Sequence, residues 1–343
     1  MLMFLNTGFV VLSVASLVVA DTLTPESMAA KFSLTTSTSF PFPSATASSG
    51  DTQSLLTSQW SLSKNRIQNG GNDLAFVDDP FPNNPAPGST TSSSGPVLEV
   101  TYPAGSFSGN TGGAQFINLW NTTGSGAFQS MLLSYEVAFD KNFDWVKGGN
   151  FRGLRGGKSD TGCSGGNEST GLDCFSTRIM WRVNGQGEAY AYIPSPNNLC
   201  SEKNVICNDD FGISLSRGSF TFQSGQWNHV ALLVQLNNPV DVANGNVEVY
   251  FNNVQAFAQQ DLQIRASDSV TAGGLYFSTF FGGSDSSWAT PNETHTYFRN
   301  MQLWGSSNPS TLTGAKVTNS GALLSPVLST AILTALFLGI LTL

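Results

Sequence analysis

Residues 175–194 read FSTRIMWRVNGQGEAYAYIP, two alternating arms about an Asn- and Gly-bearing turn at 183–187. Residues two apart on a strand share a face. One face therefore carries Ser176, Arg178, Met180 and Arg182 on the first arm and Tyr190 and Tyr192 on the second. Folding the arms together sets Arg178 opposite or diagonal to the two tyrosines. Ile179, Trp181, Ala189, Ala191 and Ile193 point the other way, as core residues should. A phenol ionises near pH ~10 when unperturbed, and a neighbouring cation favours its phenolate. Two phenols beside a guanidinium are thus equipped for paired proton transfer, one as base and one as acid. The competing reading is an Arg–Tyr ladder on a solvated sheet face, contributing roughly a few tenths of a kcal/mol per pair.

Just upstream, residues 144–160 read DWVKGGNFRGLRGGKSD and gather Lys147, Arg152, Arg155 and Lys158 among five glycines. Glycine lets backbone and ligand approach closely. Cations are scarce in this chain, 15 Lys and Arg against 23 Asp and Glu, so four in one loop call for a purpose. A plain surface turn is the alternative for the loop alone. Together, loop and hairpin predict a basic, tyrosine-bearing cleft for an anionic ligand. Of the two histidines, His229 alternates with Asn228 in QWNHVALLV as a strand residue. His295, in PNETHTYF, is the candidate for the site.

The elements that must position these groups are strands. VLEVTYP from residue 97, MLLSYEVAF from 131, NHVALLVQL from 228, VEVYFNNV from 247 and GLYFSTFF from 274 are short alternating runs. Gly, Asn, Pro and Asp turns separate them, and the middle of the chain shows no helical stripe. One β-sandwich of about 250 residues is the economical reading, with two smaller sandwiches as the alternative. Residues 1–20 are apolar and end in Val-Val-Ala, the pattern of a signal peptide without its usual basic start. Residues 21–51, rich in Ser, Thr and Pro, read as a loose leader. The strand domain then spans 52–306, a linker 307–321 and an apolar tail 322–343.

No Lys or Arg follows that tail, and small residues precede it, the layout of a GPI signal with Asn319 or Ser306 as alternative attachment sites. A transmembrane helix is the other reading. Secretion makes an even cysteine count a disulfide framework. Pairing Cys163 with Cys174 and Cys200 with Cys207 would staple two Gly-, Asn- and Ser-rich loops; no Cys-x-x-Cys is present, so no zinc site is expected. Sequons stand at Asn121, Asn167 and Asn292. A net charge of −8 argues against nucleic acid and against broad binding to anionic membranes.

These motifs together resemble polysaccharide lyase family 14, the alginate and polyglucuronate lyases, and their fungal glucuronan lyase relatives. The resemblance runs from about Trp60 to Trp304. It rests on Lys-Gly-Gly-x-x-x-Gly-Leu-x-Gly-Gly at 147–157, Ser176-x-Arg178, Tyr190-x-Tyr192, LYFSTFFGGSDSSWATP from 275 and YFRNMQLWG from 297. It implies an all-β, single-domain β-jelly-roll sandwich of two antiparallel sheets with a concave substrate cleft. It also implies β-elimination at a uronic acid of an anionic polysaccharide, without a cofactor, by a monomer that meets the membrane only through its anchor. Tyr190 and Tyr192 match the paired active-site tyrosines. Lys147, Asn150, Arg152, Arg155, Ser176, Arg178 and His295 are the expected substrate-binding residues. One departure stands out: the family loop usually reads Lys-Gly-Gly-Lys-Leu-Pro, whereas here Asn150 replaces the second lysine and Arg152 the proline.

Two other classes compete. A non-catalytic carbohydrate-binding jelly roll would use the same cleft after loss of the loop lysine. A glycoside hydrolase would need two carboxylates flanking the bond. Glu136 and Asp140 are the best local pair for that chemistry, but they lack the Glu-x-Asp-x-x-Glu spacing of laminarinase-like sandwiches.

Overall fold

The alternating runs form strands that pair almost entirely with partners distant in sequence. The computed structural model describes residues 23–89, 95–109, 111–120, 126–157, 163–165, 169–208 and 212–317. In chain order the strands are β1 (Thr36–Ser39), β2 (Leu74–Val77), β3 (Val97–Tyr102), β4 (Ala114–Ile117), β5 (Ser130–Phe139) and β6 (Gly148–Gly157). Next come β7 (Cys174–Arg182), β8 (Gln186–Tyr192), β9 (Val205–Ile206), β10 (Ile213–Thr221), β11 (Trp227–Gln235) and β12 (Val242–Ala243). The last are β13 (Gly245–Phe251), β14 (Val254–Leu262), β15 (Ala272–Phe281), β16 (Thr294–Ser306) and β17 (Ala315–Lys316). Two helices, α1 (Pro25–Lys31) and α2 (Ser49–Gln59), precede most of them.

One sheet has eight strands in the order β14-β13-β11-β5-β16-β3-β2, with β1 also on β16. The other has seven, β4-β15-β6-β7-β8-β10-β9. The ladders are antiparallel. Two such sheets face to face make the jelly-roll sandwich. Its core is aromatic, with Phe116 stacked on Phe277 at 4.3 Å and Phe139, Phe151, Trp181 and Phe298 buried around them.

The 21–51 segment is not a loose leader where it is described. Thr24 caps α1 by accepting the Ser27 N–H, and Pro25 stands at the first helical position, where a missing N–H costs nothing. Met28, Ala29 and Leu34 pack on Leu132, Leu233 and Trp304, outward residues of the eight-stranded sheet. β1 adds to β16. Composition hides this because a handful of apolar residues suffices to cover an apolar sheet face; burying one such side chain stabilises by about 1.5–3 kcal/mol.

Both disulfides form in the expected pairing, Cys163–Cys174 and Cys200–Cys207. Asp173 lies beside the first pair, but bonded sulfurs offer no thiolate to a metal. Asn292 lies exposed in the turn before β16, whereas the sequons at Asn121 and Asn167, the segment 1–20 and the tail 322–343 fall outside the described residues. Among the described residues no helix is long and apolar enough to cross a membrane.

Candidate active site

The β7–β8 hairpin carries the centre of the site. Its register sets Ser176 opposite Tyr192, Arg178 opposite Tyr190 and Met180 opposite Glu188. Ile179, Trp181, Ala189 and Ala191 enter the core. Arg178, Tyr190 and Tyr192 face a cleft of about 440 Å³ on the outer side of the seven-stranded sheet. Asn150 of β6 and Tyr276 of β15 also line it. The Tyr190 and Tyr192 rings meet edge to face at 5.8 Å.

The Arg178 guanidinium lies between two rings, 5.2 Å from the centre of Tyr192 and 5.3 Å from that of Tyr276. It is 4% exposed, and its Nε has no hydrogen-bond partner. A buried donor without a partner is costly, so it is suited to receive one from a ligand. Tyr190 differs from the sequence-based expectation. Burial, then repulsion from Tyr192, push its phenol up to about 12, and Arg182 and Arg178 offset only part of this. Desolvation outweighs the cations, so Tyr190 holds its proton at neutral pH.

A bulge in β6 explains where the loop cations go. Asn150 pairs with Met180, but Gly153 pairs with Arg178, so β6 has one extra residue between them. Against β15 the register shifts over the same stretch, but there β15 carries the extra residue, Tyr276 pairing with Gly153 and Phe280 with Asn150. The bulge turns both Phe151 and Arg152 inward. Arg152 is therefore not in the cleft: it is 1% exposed, with its guanidinium over Phe298, Phe277 and Tyr135 at 3.5, 4.3 and 4.9 Å. Nε, Nη1 and Nη2 all lack partners, and burial holds its pKa well below the usual arginine range.

Other expected binding residues are displaced too. Arg155 is buried and donates to the Gly156 and Gly157 carbonyls instead of lining the cleft. Ser176 is covered, donating to the Cys163 carbonyl. Lys147 stays exposed at the rim, donating to Ser287 Oγ at 2.6 Å and lying over Trp288. Lys158 falls outside the described residues. His295 belongs to the other sheet, because β16 pairs with β3 and β5, and its Nδ1 meets Asp140 at 2.9 Å. The structure thus brings together Asn150, Arg178, Tyr190 and Tyr192.

Several cleft groups escaped the sequence reading. Glu188, two residues before Tyr190, follows the same strand parity and lies fully buried behind the lining residues Arg182, Ser214 and Arg217. Ser214 and Arg217 sit on β10, whose pairing with β8 no local pattern announces. Trp288 closes one end beside Gly282 and Gly283. No Asp or Glu lines the cleft among the described residues. Glu136 and Asp140 sit on β5 in the other sheet, Glu136 tied to Arg299 at 2.7 Å and Asp140 to His295 and Tyr297. The paired-carboxylate chemistry of a glycoside hydrolase therefore has no footing in this cleft.

Comparison with known proteins places this geometry. The family model Polysaccharide lyase 14 matches residues 90–301. The marine alginate lyase of that family from Aplysia kurodai is 29% identical, covering 77% of this chain and 100% of its own, with a TM-score of 0.62. Alginate lyase Aly36B (19% identical, 78% of this chain, 95% of its own, TM-score 0.57) shares the fold. So does the alginate lyase vAL-1 from Chlorella virus (21%, 63%, 88% and 0.52). Curated protein sequences give no significant match. With more than half of its length matched by the family model, the chain belongs to polysaccharide lyase family 14 and is a polysaccharide lyase.

Proposed function

We propose that this lyase cleaves a polyuronate of the alginate or glucuronan type by β-elimination, with Tyr190 and Tyr192 moving the protons. The observation that carries the reading is the convergence of the buried Arg178, its Nε without a hydrogen-bond partner, with two tyrosines in a cleft whose lining carries no carboxylate. The alginate lyase at 29% identity supports the same substrate class. Arg178, with the Asn150 amide, would hold the C5 carboxylate and stabilise the negative charge that gathers there as the C5 proton leaves. Tyr192, against which Arg178 stacks, accepts that proton as its phenolate and is left as the neutral phenol. Tyr190, held protonated by burial, donates to the departing C4 oxygen. The C5–H and C4–O bonds break, a C4=C5 double bond forms, and the leaving sugar gains a hydroxyl.

Incubation with glucuronan and with alginates, followed by ultraviolet absorbance of the unsaturated uronate, tests this. Product should appear with at least one polymer. Phe at position 190 or 192 should lower kcat by roughly 10²–10⁴-fold, the usual contribution of a general acid or base, with little change in Tm. Undiminished turnover in the Tyr190→Phe, Tyr192→Phe double variant would remove both tyrosines from the mechanism.

We also propose that the protein is secreted and held at the cell surface by a GPI anchor. Ser306 is buried at the end of β16, and the chain continues into β17, which pairs with β12. This favours attachment near Asn319 over Ser306. Release from cells by phosphatidylinositol-specific phospholipase is the expected result, and retention would argue for a transmembrane tail.

A further inference from the structure

Toward the turn of the hairpin the cleft holds a second cluster of charge. Glu188 is fully buried on the cleft side of β8, two residues and about 7 Å along the strand from Tyr190. Its Oε1 accepts Arg182 Nε at 2.8 Å and a second bond from Arg182 Nη2. Its Oε2 accepts Ser214 Oγ and Arg217 Nε, each at 2.6 Å. These two arginines come from different strands, β7 and β10, and a single carboxylate fixes both.

Buried carboxylates usually meet one cation; here two meet one. The surplus is positive and points outward. Arg182 is 14% exposed and Arg217 37% exposed, and both line the cleft. Among the described residues no bond occupies Arg182 Nη1 or either terminal nitrogen of Arg217. Guanidinium donors in fixed orientation suit a carboxylate by paired hydrogen bonds.

We propose that Arg182 and Arg217, locked by Glu188, form a second carboxylate-binding subsite for a uronate on the order of one or two sugars from the one that is eliminated. Glu188 is a positioning residue. It touches no substrate; it holds both guanidiniums in fixed orientation, Arg182 also lying 5.6 Å over the Tyr190 ring, with unbonded nitrogens left for the cleft. The subsite rests on the polyuronate reading of the preceding section, and it makes the enzyme favour long chains over short ones.

The test is a chain-length series of the uronate oligosaccharides that the wild-type enzyme cleaves, with kcat and KM measured at each length. In the wild type, kcat/KM should rise once the oligomer is long enough to reach Arg217. In Arg217→Ala that rise should shrink by roughly ten- to hundredfold, the contribution of one charge-assisted bond, mainly through KM. Glu188→Gln should also flatten the length dependence, and Arg217→Lys should restore part of the charge but little of the paired bonding. If Glu188 were only structural, Glu188→Gln would lower Tm and depress all lengths equally. A length profile in Arg217→Ala identical to that of the wild type would overturn the subsite while leaving the polyuronate reading intact. Absence of elimination product from the wild type on every polyuronate would overturn both.

Discussion

Arg152 offers a quantitative test of the β6 bulge. Its guanidinium lies in the core without a hydrogen-bond partner, against Phe298, Phe277 and Tyr135. Burying one ion costs several kcal/mol even after relaxation, and a desolvated cation–π contact returns about 2 kcal/mol. A base whose folded pKa lies below its unfolded value, as burial makes Arg152, destabilises the fold, and does so in full at pH below that folded value. Methionine fills a similar volume without charge. Replacing buried ions by hydrophobic residues is often stabilising by about 1–4 kcal/mol. Arg152→Met should therefore raise Tm by at least about 2 °C for a domain of this size. Arg152→Lys keeps the charge and loses the flat stacking, so it should fall below both. Because Arg152 does not reach the cleft, kcat/KM on polyuronate should stay within about threefold in the methionine variant, a change under ~0.7 kcal/mol. Thermal unfolding and steady-state kinetics on one preparation decide the matter. A tenfold or larger loss of kcat/KM with no gain in Tm would mean that Arg152 faces substrate and that the bulge is misplaced.

Other outcomes follow from the same geometry. Asn150→Lys puts a cation at the cleft position opposite Met180; turnover should rise if the carboxylate is under-neutralised and fall if Asn150 and Arg178 already form a complete cradle, and kcat on polyuronate distinguishes the two. His295 has its pKa raised, chiefly by the hydrogen bond to Asp140, and the same bonds from His295 and Tyr297 overcome burial to lower Asp140. The histidine's stabilisation is therefore complete below its unfolded pKa of about 6.5 and is lost as pH rises through the raised folded value, so His295→Asn should lose more stability at about pH 5 than at alkaline pH, as read by denaturant unfolding. Opening the Cys200–Cys207 loop with paired serines should cost about 2–3 kcal/mol and, because Cys207 lines the cleft, should also raise KM.

The face shared by Arg178, Tyr190 and Tyr192 was legible in the sequence because strand parity is a local property: a two-residue period and one turn determine which side chains stand together. The two disulfides were legible for the same reason, since each closes a short loop. Glu188 obeyed that parity as well. The fate of the loop cations was not local. One extra residue in β6 relative to β7, with a further one in β15 relative to β6 over the same stretch, sends Arg152 into the core while Asn150 keeps the cleft. Arg217 reaches Glu188 only because β10 pairs with β8, and His295 leaves the site only because β16 lies in the opposite sheet. The N-terminal segment likewise gained its structure from an apolar sheet face made by strands far along the chain. Short-range periodicity determined which residues stand side by side; strand pairing over long range decided which strands meet, and the cost of leaving polar or apolar groups uncovered decided which face each side chain serves.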